Sequence, residues 1–327
     1  MTFNIAIAGT GSIADDQLAP ALAQVEDAQL WSVLSRGVER GREFADRHAA
    51  RATNPVHTSL KSLLVDPALD AIIIATPDKL HAVQTLASAS AGKHVLVEKP
   101  MATDLEEAKA MVKACHDAKV QLGVGYHLHW HNGHRKLLEA VRAGEFGELR
   151  HMRVLWTSRS ADENNWRASP EVGRWWSLAA FGTHCLDMIR WIMVPQCGEV
   201  VSLRSVISRD IWKGPHDETA LVSIRFRSGA TAEFCSSILF DSVSRVEIYG
   251  SKGYAVGEGT LGRGGGGEMR THLGELKFSI SNPFVGEITD FVAAIRGQRQ
   301  PEVDGNEGLR NVELLVKAAS PPYVTAS

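Results

Sequence analysis

Short, largely apolar runs alternate with longer polar segments over the first part of the chain. The runs lie at residues 5–8, 28–34, 70–77, 92–100 and 120–125. Continuous apolar runs are typical of parallel strands that are covered on both faces, and segments of helical spacing separate them here. The alternation predicts an α/β domain over residues 1–123, built on one doubly wound parallel sheet.

The pattern changes after Tyr126, where the runs become longer and apolar and polar residues alternate along them. Alternation is typical of strands with one buried face, and Ser228-Gly229 predicts a hairpin. Strands are predicted at residues 149–156, 199–208, 218–227, 230–238 and 243–249, and closing helices at 287–296 and 308–319. Residues 124–327 are therefore expected to form a second α/β domain with a mostly antiparallel, open sheet, in which the glycine-rich residues 257–267 form a mobile surface loop.

The first apolar run leads directly into a glycine turn, Gly9-Thr10-Gly11-Ser12-Ile13-Ala14. In a dinucleotide-binding turn of the form G-x-G-x-x-A, the first glycine permits the backbone reversal and the second leaves room for the pyrophosphate. The small third residue lets the helix pack on the strand. The helix N-terminus offers N–H groups to the phosphates. All six residues are candidate cofactor contacts, although such a turn also occurs where no ligand binds.

The second apolar run ends in Ser35-Arg36, and no acidic residue follows until Glu39. An Asp or Glu at this place normally binds the ribose 2′-hydroxyl of NAD, whereas the 2′-phosphate of NADP requires an arginine and no carboxylate. A serine hydroxyl can donate to phosphate, and a guanidinium can pair with it. Ser35 and Arg36 therefore favour NADP, with NAD as the alternative if Arg36 is only a solvated loop charge.

Composition argues against several classes of partner. The chain of 327 residues carries 35 basic and 38 acidic residues, a formal net charge of −3, which is not the basic footprint of a nucleic-acid-binding protein. No apolar run approaches the roughly 18 residues of a membrane span, and no signal peptide pattern precedes the glycine turn. The four cysteines are far apart in sequence, as expected of reduced thiols in a cytoplasmic protein.

Three further motifs stand at the ends of predicted strands or at the start of a predicted helix. They are Thr76-Pro77 with His81, Glu98-Lys99-Pro100, and Gly182-x-His184-x-x-Asp187. With the glycine turn, they have the order and spacing of the Gfo/Idh/MocA oxidoreductases, the relatives of glucose–fructose oxidoreductase and inositol dehydrogenase, which the chain resembles. The resemblance extends to Asn282-Pro283-Phe284 and to Glu287-Ile288-x-Asp290-Phe291, and so covers nearly the whole chain.

The resemblance implies an N-terminal Rossmann domain and a C-terminal domain whose open sheet often forms an oligomer interface. It also implies hydride exchange between a nicotinamide cofactor and a hydroxyl or carbonyl carbon. We therefore expect a carbohydrate-like small-molecule substrate and a homo-oligomer, either a dimer or a tetramer. The nicotinamide is expected near Thr76, Pro77 and Lys99, and His81 and Glu98 complete the cofactor-binding set.

Lys99 and His184 are the candidate catalytic residues. A lysine at the mouth of a parallel strand, fixed by the following proline, can hydrogen-bond the reacting oxygen and exchange its proton; the alternative is an ion pair with Glu98. His184 titrates in the useful range, and its alternative is a structural, hydrogen-bonded histidine. Substrate contacts are expected from Tyr126, His127, Trp176 and Asp187. Asp187 follows His184 by three residues, which predicts that the two share a helical face.

Two departures from the family pattern stand near these residues. Ala180 occupies the place of an aspartate two residues before the motif glycine, which predicts a less polyhydroxylated substrate than inositol. The second departure is the histidine run His127-x-His129-x-His131, whose alternate side chains would share a face of an extended segment. A metal site is one interpretation of this run, but we expect polar side chains lining a cleft and no bound metal.

Two other functions remain open, and Ala180 in place of the aspartate favours the first of them. One is a non-catalytic NADP-binding regulator, because function is carried by the site and not by the fold. The other is a glycosidase-type enzyme that retains its cofactor through the reaction cycle. The leading hypothesis is an NADP-preferring dehydrogenase or reductase that acts on a secondary alcohol or carbonyl.

Overall fold

The computed structural model describes residues 2–160 and 165–320. Within them the strands are, in chain order, β1 (Phe3–Ala8), β2 (Ala28–Leu34), β3 (Val56–His57), β4 (Ala71–Ile74), β5 (His94–Glu98), β6 (Leu122–Gly125), β7 (Leu149–Thr157), β8 (Val200–Ser208), β9 (Thr219–Phe226), β10 (Thr231–Ser237), β11 (Arg245–Gly250), β12 (Tyr254–Glu258), β13 (Glu268–Thr271) and β14 (Gly274–Glu275). The α-helices are α1 (Ala19–Leu22), α2 (Val38–Arg47), α3 (Leu60–Leu64), α4 (His81–Ser90), α5 (Leu105–Asp117), α6 (Asn132–Arg142), α7 (Thr183–Cys197), α8 (Pro283–Arg296) and α9 (Gly305–Ala318).

The chain divides into two compact units. Unit 1 comprises the residues up to Tyr126 together with Phe284–Val312, and unit 2 comprises His127–Pro283 together with the residues from Glu313 onward. Most of α8 and the first half of α9 therefore lie in unit 1, whereas the sequence analysis assigned them to the second domain. Continuity along the chain motivated that assignment, but the apolar face of α8 is buried in the core of unit 1.

Unit 1 contains a six-stranded sheet in the order β3-β2-β1-β4-β5-β6. All of its strand pairs are parallel. The central strands are buried on both faces, since every residue of β4 and most of β1 and β5 are inaccessible to solvent. Burial on both faces is the reason for their uninterrupted apolar sequences. The predicted doubly wound parallel sheet is confirmed.

The core of unit 1 explains why α8 belongs to it. Phe284, Ile288 and Phe291 recur at the spacing of one helical face and are all buried. They pack in the same apolar cluster as Ile73 of β4 and Leu96 of β5. Helix α8, which begins at the C-terminal motif, thus packs on the parallel sheet and covers part of it.

Unit 2 contains an eight-stranded sheet in the order β14-β13-β12-β11-β7-β10-β9-β8. Only the β7–β10 pair is parallel among the strands described, so the predicted mostly antiparallel sheet is confirmed. The predicted hairpin at Ser228-Gly229 joins β9 to β10. Helix α7 packs on one face of the sheet through buried residues such as Leu186, Ile189 and Met193.

The glycine-rich stretch was expected to be a mobile surface loop; its residues 259–267 form the loop that joins β12 to β13, and its mobility stays a prediction. Strands β12 to β14 lie on either side of it, and Leu261 is fully buried within it. The carbonyl of Gly266 accepts a hydrogen bond of 2.9 Å from His131 Nε2. Glycine content hid the strands from sequence analysis because it lowers β propensity.

The cap of α5 differs by one residue from the pattern in the sequence. The Thr103-x-x-Glu106 spacing predicts a capping box, but the N-cap is Asp104, whose carboxylate accepts a hydrogen bond of 2.9 Å from the Glu107 amide. Glu107 in turn accepts from the Thr103 hydroxyl, so the box is shifted by one residue.

Among the described residues, no helix has the length and apolar content needed to cross a membrane.

Candidate active site

The two glycines of the turn in unit 1, Gly9 and Gly11, differ in the space around their Cα atoms. Gly9 has φ of +97°, and a Cβ there would lie 2.5 Å from the carbonyl oxygen of Ala75, so only glycine fits. A Cβ at Gly11 would meet no atom within 4 Å. The chain is already helical at Ser12 and Ile13 and continues through a π-helical turn, Ala14–Leu18, in which Ala14 is buried. The open space at Gly11, beside the start of a helix, fits the approach of a pyrophosphate.

The end of β2 brings hydroxyl and guanidinium groups to the same turn. Ser35 is almost fully buried, and its hydroxyl lies 3.3 Å from that of Thr10. Arg36 is exposed and precedes Gly37, the N-cap residue of α2. Arg40, which the sequence analysis did not single out, donates to the carbonyl of Thr10 at 2.8 Å. Arg40 follows Arg36 by four residues, and this spacing could have identified Arg40 as a second cation at the turn from the sequence alone.

The acidic residue nearest the turn in sequence is already neutralised. Asp15 accepts hydrogen bonds from His48, at 2.7 Å, and from Arg47. The His48 hydrogen bond, followed by the hydrogen bond and charge of Arg47, holds the pKa of Asp15 below its usual value against the opposing effect of burial. Its charge is therefore compensated locally.

The ends of β4 and β5 are tied together by His81. Its ring nitrogens lie 2.9 Å from the carbonyl oxygen of Thr76 and 2.9 Å from that of Pro100. The Thr76 hydroxyl donates to Gln84 at 2.7 Å, and Pro77 precedes the 3₁₀ turn that leads into α4. His81 was predicted to contact the cofactor. Its ring is buried, and whichever nitrogen carries the proton donates to one of these two carbonyls, so His81 holds the neighbouring loops; its contact with the cofactor stays a prediction.

Lys99 follows the last residue of β5 and is half-buried. The carboxylate of Glu98 accepts a hydrogen bond of 3.2 Å from the Lys99 amide, so Glu98 orients the backbone at the lysine. Tyr126 follows β6, the neighbouring strand, and is fully buried, with its amide bonded to the carbonyl of Val124. Unit 1 thus presents its candidate residues at the carboxyl ends of adjacent parallel strands, where ligands of such sheets bind.

In unit 2, His184 lies in the first turn of α7 within a group of aromatic rings. The ring of His127 meets it edge-on with centroids 5.0 Å apart, and the ring of Trp156 lies 5.2 Å away. Phe181 packs on the other side of Trp156 at 5.3 Å. Trp156 and Phe181 remain partly accessible, whereas both histidines are buried. The structure brings His127 and His184 together, as the sequence analysis expected of residues of one site.

Asp187 interacts with a different histidine. Its carboxylate lies 2.9 Å from Nε2 of His129, and both side chains are buried. The His129 ring also stacks on Trp191 with centroids 4.1 Å apart. Asp187 therefore orients His129, which was expected from the sequence only to line a cleft. The contact of Asp187 with the substrate stays a prediction.

Trp176 and the turn before α7 are held by Asp217, which the sequence analysis missed. The buried Asp217 carboxylate accepts from the amides of Trp176 and Leu178, at 2.9 and 2.7 Å, and from the Ser177 hydroxyl at 2.7 Å. Burial raises the pKa of Asp217, and the Ser177 hydrogen bond opposes that rise. A single aspartate in a predicted loop gives no indication that it accepts hydrogen bonds from residues about forty positions away.

Ala180 and Trp176 occupy this anchored segment. Ala180 lies in the π-helical turn Leu178–Gly182, and its amide donates to the carbonyl of Trp176. The ring of Trp176 is buried against Trp212 at 5.3 Å. Trp176 is thus a packed ring of this segment, and its contact with the substrate stays a prediction.

The histidine run does not form a metal site among the described residues. Nδ1 of His131 accepts from the amides of Gly133 and His134 at the start of α6, and Nε2 donates to Gly266. Both nitrogens of His131 are therefore occupied by structural hydrogen bonds. His131 stacks on His134, and burial lowers the pKa of both imidazoles.

Comparison with known sequences agrees with this geometry. Residues 3–126 match the family described as "Oxidoreductase family, NAD-binding Rossmann fold", and residues 134–256 match the "GFO/IDH/MocA C-terminal domain". The two matched segments together span most of the chain, and each falls in one half of the fold.

Relatives of named activity match over nearly their full length. The chain is 29% identical to 1,5-anhydro-D-fructose reductase of Ensifer adhaerens over 322 residues, covering 95% of each protein. It is 25% identical to myo-inositol 2-dehydrogenase of Thermotoga maritima over 316 residues, covering 93% of this chain and 91% of the relative. The crystal structure of aldose-aldose oxidoreductase from Caulobacter crescentus, complexed with glycerol, is 25% identical and superposes with a TM-score of 0.90 over 98% of each chain. The chain belongs to the Gfo/Idh/MocA family of NAD(P)-dependent oxidoreductases.

Proposed function

We propose that this enzyme transfers hydride reversibly between NADP(H) and a secondary alcohol or carbonyl carbon of a carbohydrate-like molecule. The observation that supports the cofactor preference is the end of β2, where Ser35 is followed directly by Arg36, Arg40 donates to the same turn, and the first carboxylate, Glu39, pairs with Arg42. A 2′-phosphate is favoured by this set of donors, and the 2′-hydroxyl of NAD is not.

The roles of the chain's own residues follow from their surroundings. The cofactor, when bound, supplies or accepts the hydride. The turn Gly9–Ala14 holds the pyrophosphate, Ser35, Arg36 and Arg40 hold the adenosine phosphate, and Thr76 and Pro77 border the nicotinamide. Lys99 donates a hydrogen bond to the reacting oxygen, which stabilises negative charge as it develops there. His184 exchanges the hydroxyl proton, because an imidazole is protonated and deprotonated readily near neutral pH.

The substrate is proposed to be a ring compound with fewer hydroxyls than inositol. The partly accessible rings of Trp156 and Phe181 beside His184 offer an apolar surface to the C–H face of a sugar. Ala180 provides no carboxylate to accept hydroxyl hydrogen bonds, and Asp187 is engaged with His129. The likeness to 1,5-anhydro-D-fructose reductase makes 1,5-anhydro-D-fructose the first compound to assay.

The cofactor preference is tested by titrating the protein with NADPH and with NADH and following tryptophan fluorescence. We expect NADPH to bind at least about tenfold more tightly, which corresponds to about 1.4 kcal/mol. Arg36→Ala and Arg40→Ala should each weaken NADPH binding and leave NADH binding unchanged. Arg42→Ala is the matched control, because exposed Arg42 pairs with Glu39 on the same helix. Equal affinity for the two cofactors in the unmodified protein would overturn the assignment of the phosphate site.

The open face of the unit 2 sheet is proposed to pair with a second copy of the chain. Strand register places Val206, Leu221, Cys235 and Leu155 side by side in one row. Val206 and Leu221 are about half exposed and directly opposite each other, so they form a contiguous apolar patch of the kind that marks an interaction surface. The neighbouring row carries an Arg153–Glu233 ion pair of 3.1 Å. A face with both signs of charge suits self-association about a two-fold axis.

The proposed compartment is the cytoplasm. All four cysteines are free thiols, and Cys115, Cys185 and Cys197 are buried. Burial raises the pKa of Cys115 to about 12, so its thiol is unreactive. Unpaired, protonated cysteines are typical of proteins that work in a reducing compartment.

A further inference from the structure

Strand β6 of unit 1 contains two glycines, and the atoms facing them locate helix α8. A Cβ at Gly123 would lie 3.2 Å from the ring of Phe291, and a Cβ at Gly125 would lie 3.3 Å from the carboxyl carbon and Oε1 of Glu98. Residues two apart on a strand share a face, so Phe291 and the Glu98 carboxyl lie on the same face of the sheet. Glycine in a strand marks such a close approach.

Glu287 stands one helical turn before Phe291 on the same face of α8. Four helical residues span about 6 Å, and two strand residues span about 6.7 Å. With Phe291 over Gly123, and with the charge of Glu98 acting on Glu287, the helix direction that fits both places Glu287 beside Gly125, where the Glu98 carboxyl lies. The neighbouring α8 residues Phe284 and Ile288 are fully buried, which fixes this face of the helix against the sheet.

Both oxygens of Glu287 are buried, and no N–H or O–H group in the described part of the chain donates to either of them. A carboxylate without donors is costly to bury, and such a group takes up a proton instead. Burial and the negative charge of Glu98 raise the pKa of Glu287 well above its ordinary value. Glu98 is the one charged group identified as acting on it.

We propose that Glu287 carries a proton at neutral pH and donates it in a hydrogen bond to the carboxylate of Glu98. Glu98 then keeps its other lone pairs for the Lys99 amide. The pair places one negative charge, and not two, beside Lys99. Glu287 is thus a positioning residue for Lys99. This positioning role rests on the proposed function, whereas the protonation of Glu287 does not depend on it.

Infrared difference spectroscopy of the cofactor-free protein tests the protonation directly. Wild-type protein at neutral pH should show the carbonyl stretch of a protonated, buried carboxylic acid, and Glu287→Gln should lose it. Glu313→Gln, at an exposed glutamate that pairs with Lys317, is the matched control and should retain the band. In Glu98→Gln the band should move to higher frequency, because a charged acceptor is replaced by a weaker one. An unchanged spectrum in Glu287→Gln would overturn the proposal, whatever the enzyme's activity.

Steady-state kinetics tests the positioning. Gln keeps a neutral hydrogen-bond donor at this place, so Glu287→Gln should retain kcat within about twofold, whereas Glu287→Leu should lower kcat by about tenfold or more. Neither change should alter NADPH affinity by more than about twofold. If Glu287→Gln loses as much activity as Glu287→Leu, the charged form of Glu287 is required and the proposal is wrong. If no substrate is turned over by wild-type protein, the proposed function fails while the infrared result still decides the protonation.

Discussion

Two lysines flank strand β5 and have different surroundings. Lys93 is nearly buried, and its ammonium group donates to the carbonyls of Asp66 and Leu69 at 3.0 and 2.7 Å. Lys99 is half-buried at the opposite end of the strand, where Glu98 fixes its backbone. The first lysine is occupied by the fold, and the second stands where a ligand of a parallel sheet binds.

This contrast gives a matched pair of variants. Lys99→Ala should lower kcat by about two to three orders of magnitude, the usual contribution of a donor that stabilises developing negative charge, with NADPH affinity nearly unchanged. Lys93→Ala should lower the melting temperature, because two buried carbonyls lose their donor, and should leave kcat per folded molecule unchanged. Thermal unfolding and steady-state kinetics on both proteins separate the two roles. A parallel loss of turnover and cofactor affinity in Lys99→Ala would mark Lys99 as structural.

At the residue scale, sequence reasoning identified motif residues and missed their partners. Lys99 and His184 stood out because they lie in dense motifs with a definite spacing. Asp217 did not, because it binds residues 176–178 from about forty positions away and its hydrogen bonds depend on tertiary structure. Asp187 was assigned to the substrate since its helical spacing from His184 is visible in sequence, whereas its bond to His129 is not.

At the scale of elements, the N-terminus of α6 depends on a neutral histidine. His131 caps the helix through Nδ1 and reaches the glycine-rich stretch through Nε2, which assigns the proton to Nε2. Protonation of Nδ1 would abolish the cap. Burial lowers the folded-state pKa of His131 and of His134 below the ordinary value of 6.5.

This arrangement predicts acid-sensitive stability. The unfolded chain takes up these protons near pH 6.5 and the folded protein does so only at lower pH, so the stabilisation is complete above 6.5 and is lost as the pH falls through the folded-state pKa values. His131→Asn keeps an N-cap acceptor but cannot titrate, so its melting temperature should fall less steeply with acid than that of wild type. His116→Asn, at an exposed histidine, is the control. Identical pH dependence of the melting temperature in His131→Asn and wild type would exclude His131 as a source of acid sensitivity.

Elements with a continuous apolar sequence were predictable. The buried strands β1, β2, β4 and β5 were located to within a few residues, because burial on both faces leaves an unmistakable pattern. Strands β12 to β14 were missed since glycine and short length remove that pattern. The capping of α5 was displaced by one residue, because Thr103, Asp104 and Glu106 offered two overlapping capping patterns.

At the scale of the whole molecule, the division into units was predictable only in part. The change of pattern near Tyr126 marked the end of the parallel sheet. The return of residues 284–312 to unit 1 was not visible, because amphipathic spacing shows that a helix has a buried face and does not show which core buries it.

The open sheet gives a prediction about assembly. Wild-type protein should have a molar mass of two or four chains by light scattering, and Leu221→Glu should reduce it by placing a charge in the apolar row. Val83→Glu is the control, since Val83 on α4 of unit 1 is as exposed as Leu221 but lies outside the sheet. A monomeric wild-type protein at micromolar concentration would contradict the proposed interface. So would an unchanged mass in Leu221→Glu.

We propose above that NADPH delivers hydride to a carbonyl carbon while side chains of this protein supply the proton. The most direct measurement is isotope transfer: NADPH deuterated at C4 of the nicotinamide is incubated with the enzyme and a panel of keto-sugars that includes 1,5-anhydro-D-fructose. We expect oxidised cofactor and deuterated alcohol in equal amounts, at a rate that Lys99→Ala strongly reduces. Tight binding of NADPH without transfer to any member of the panel would contradict this proposal and indicate a regulatory protein. Deuterium retained on an enzyme-bound cofactor after net glycoside cleavage would indicate the cofactor-retaining cycle instead.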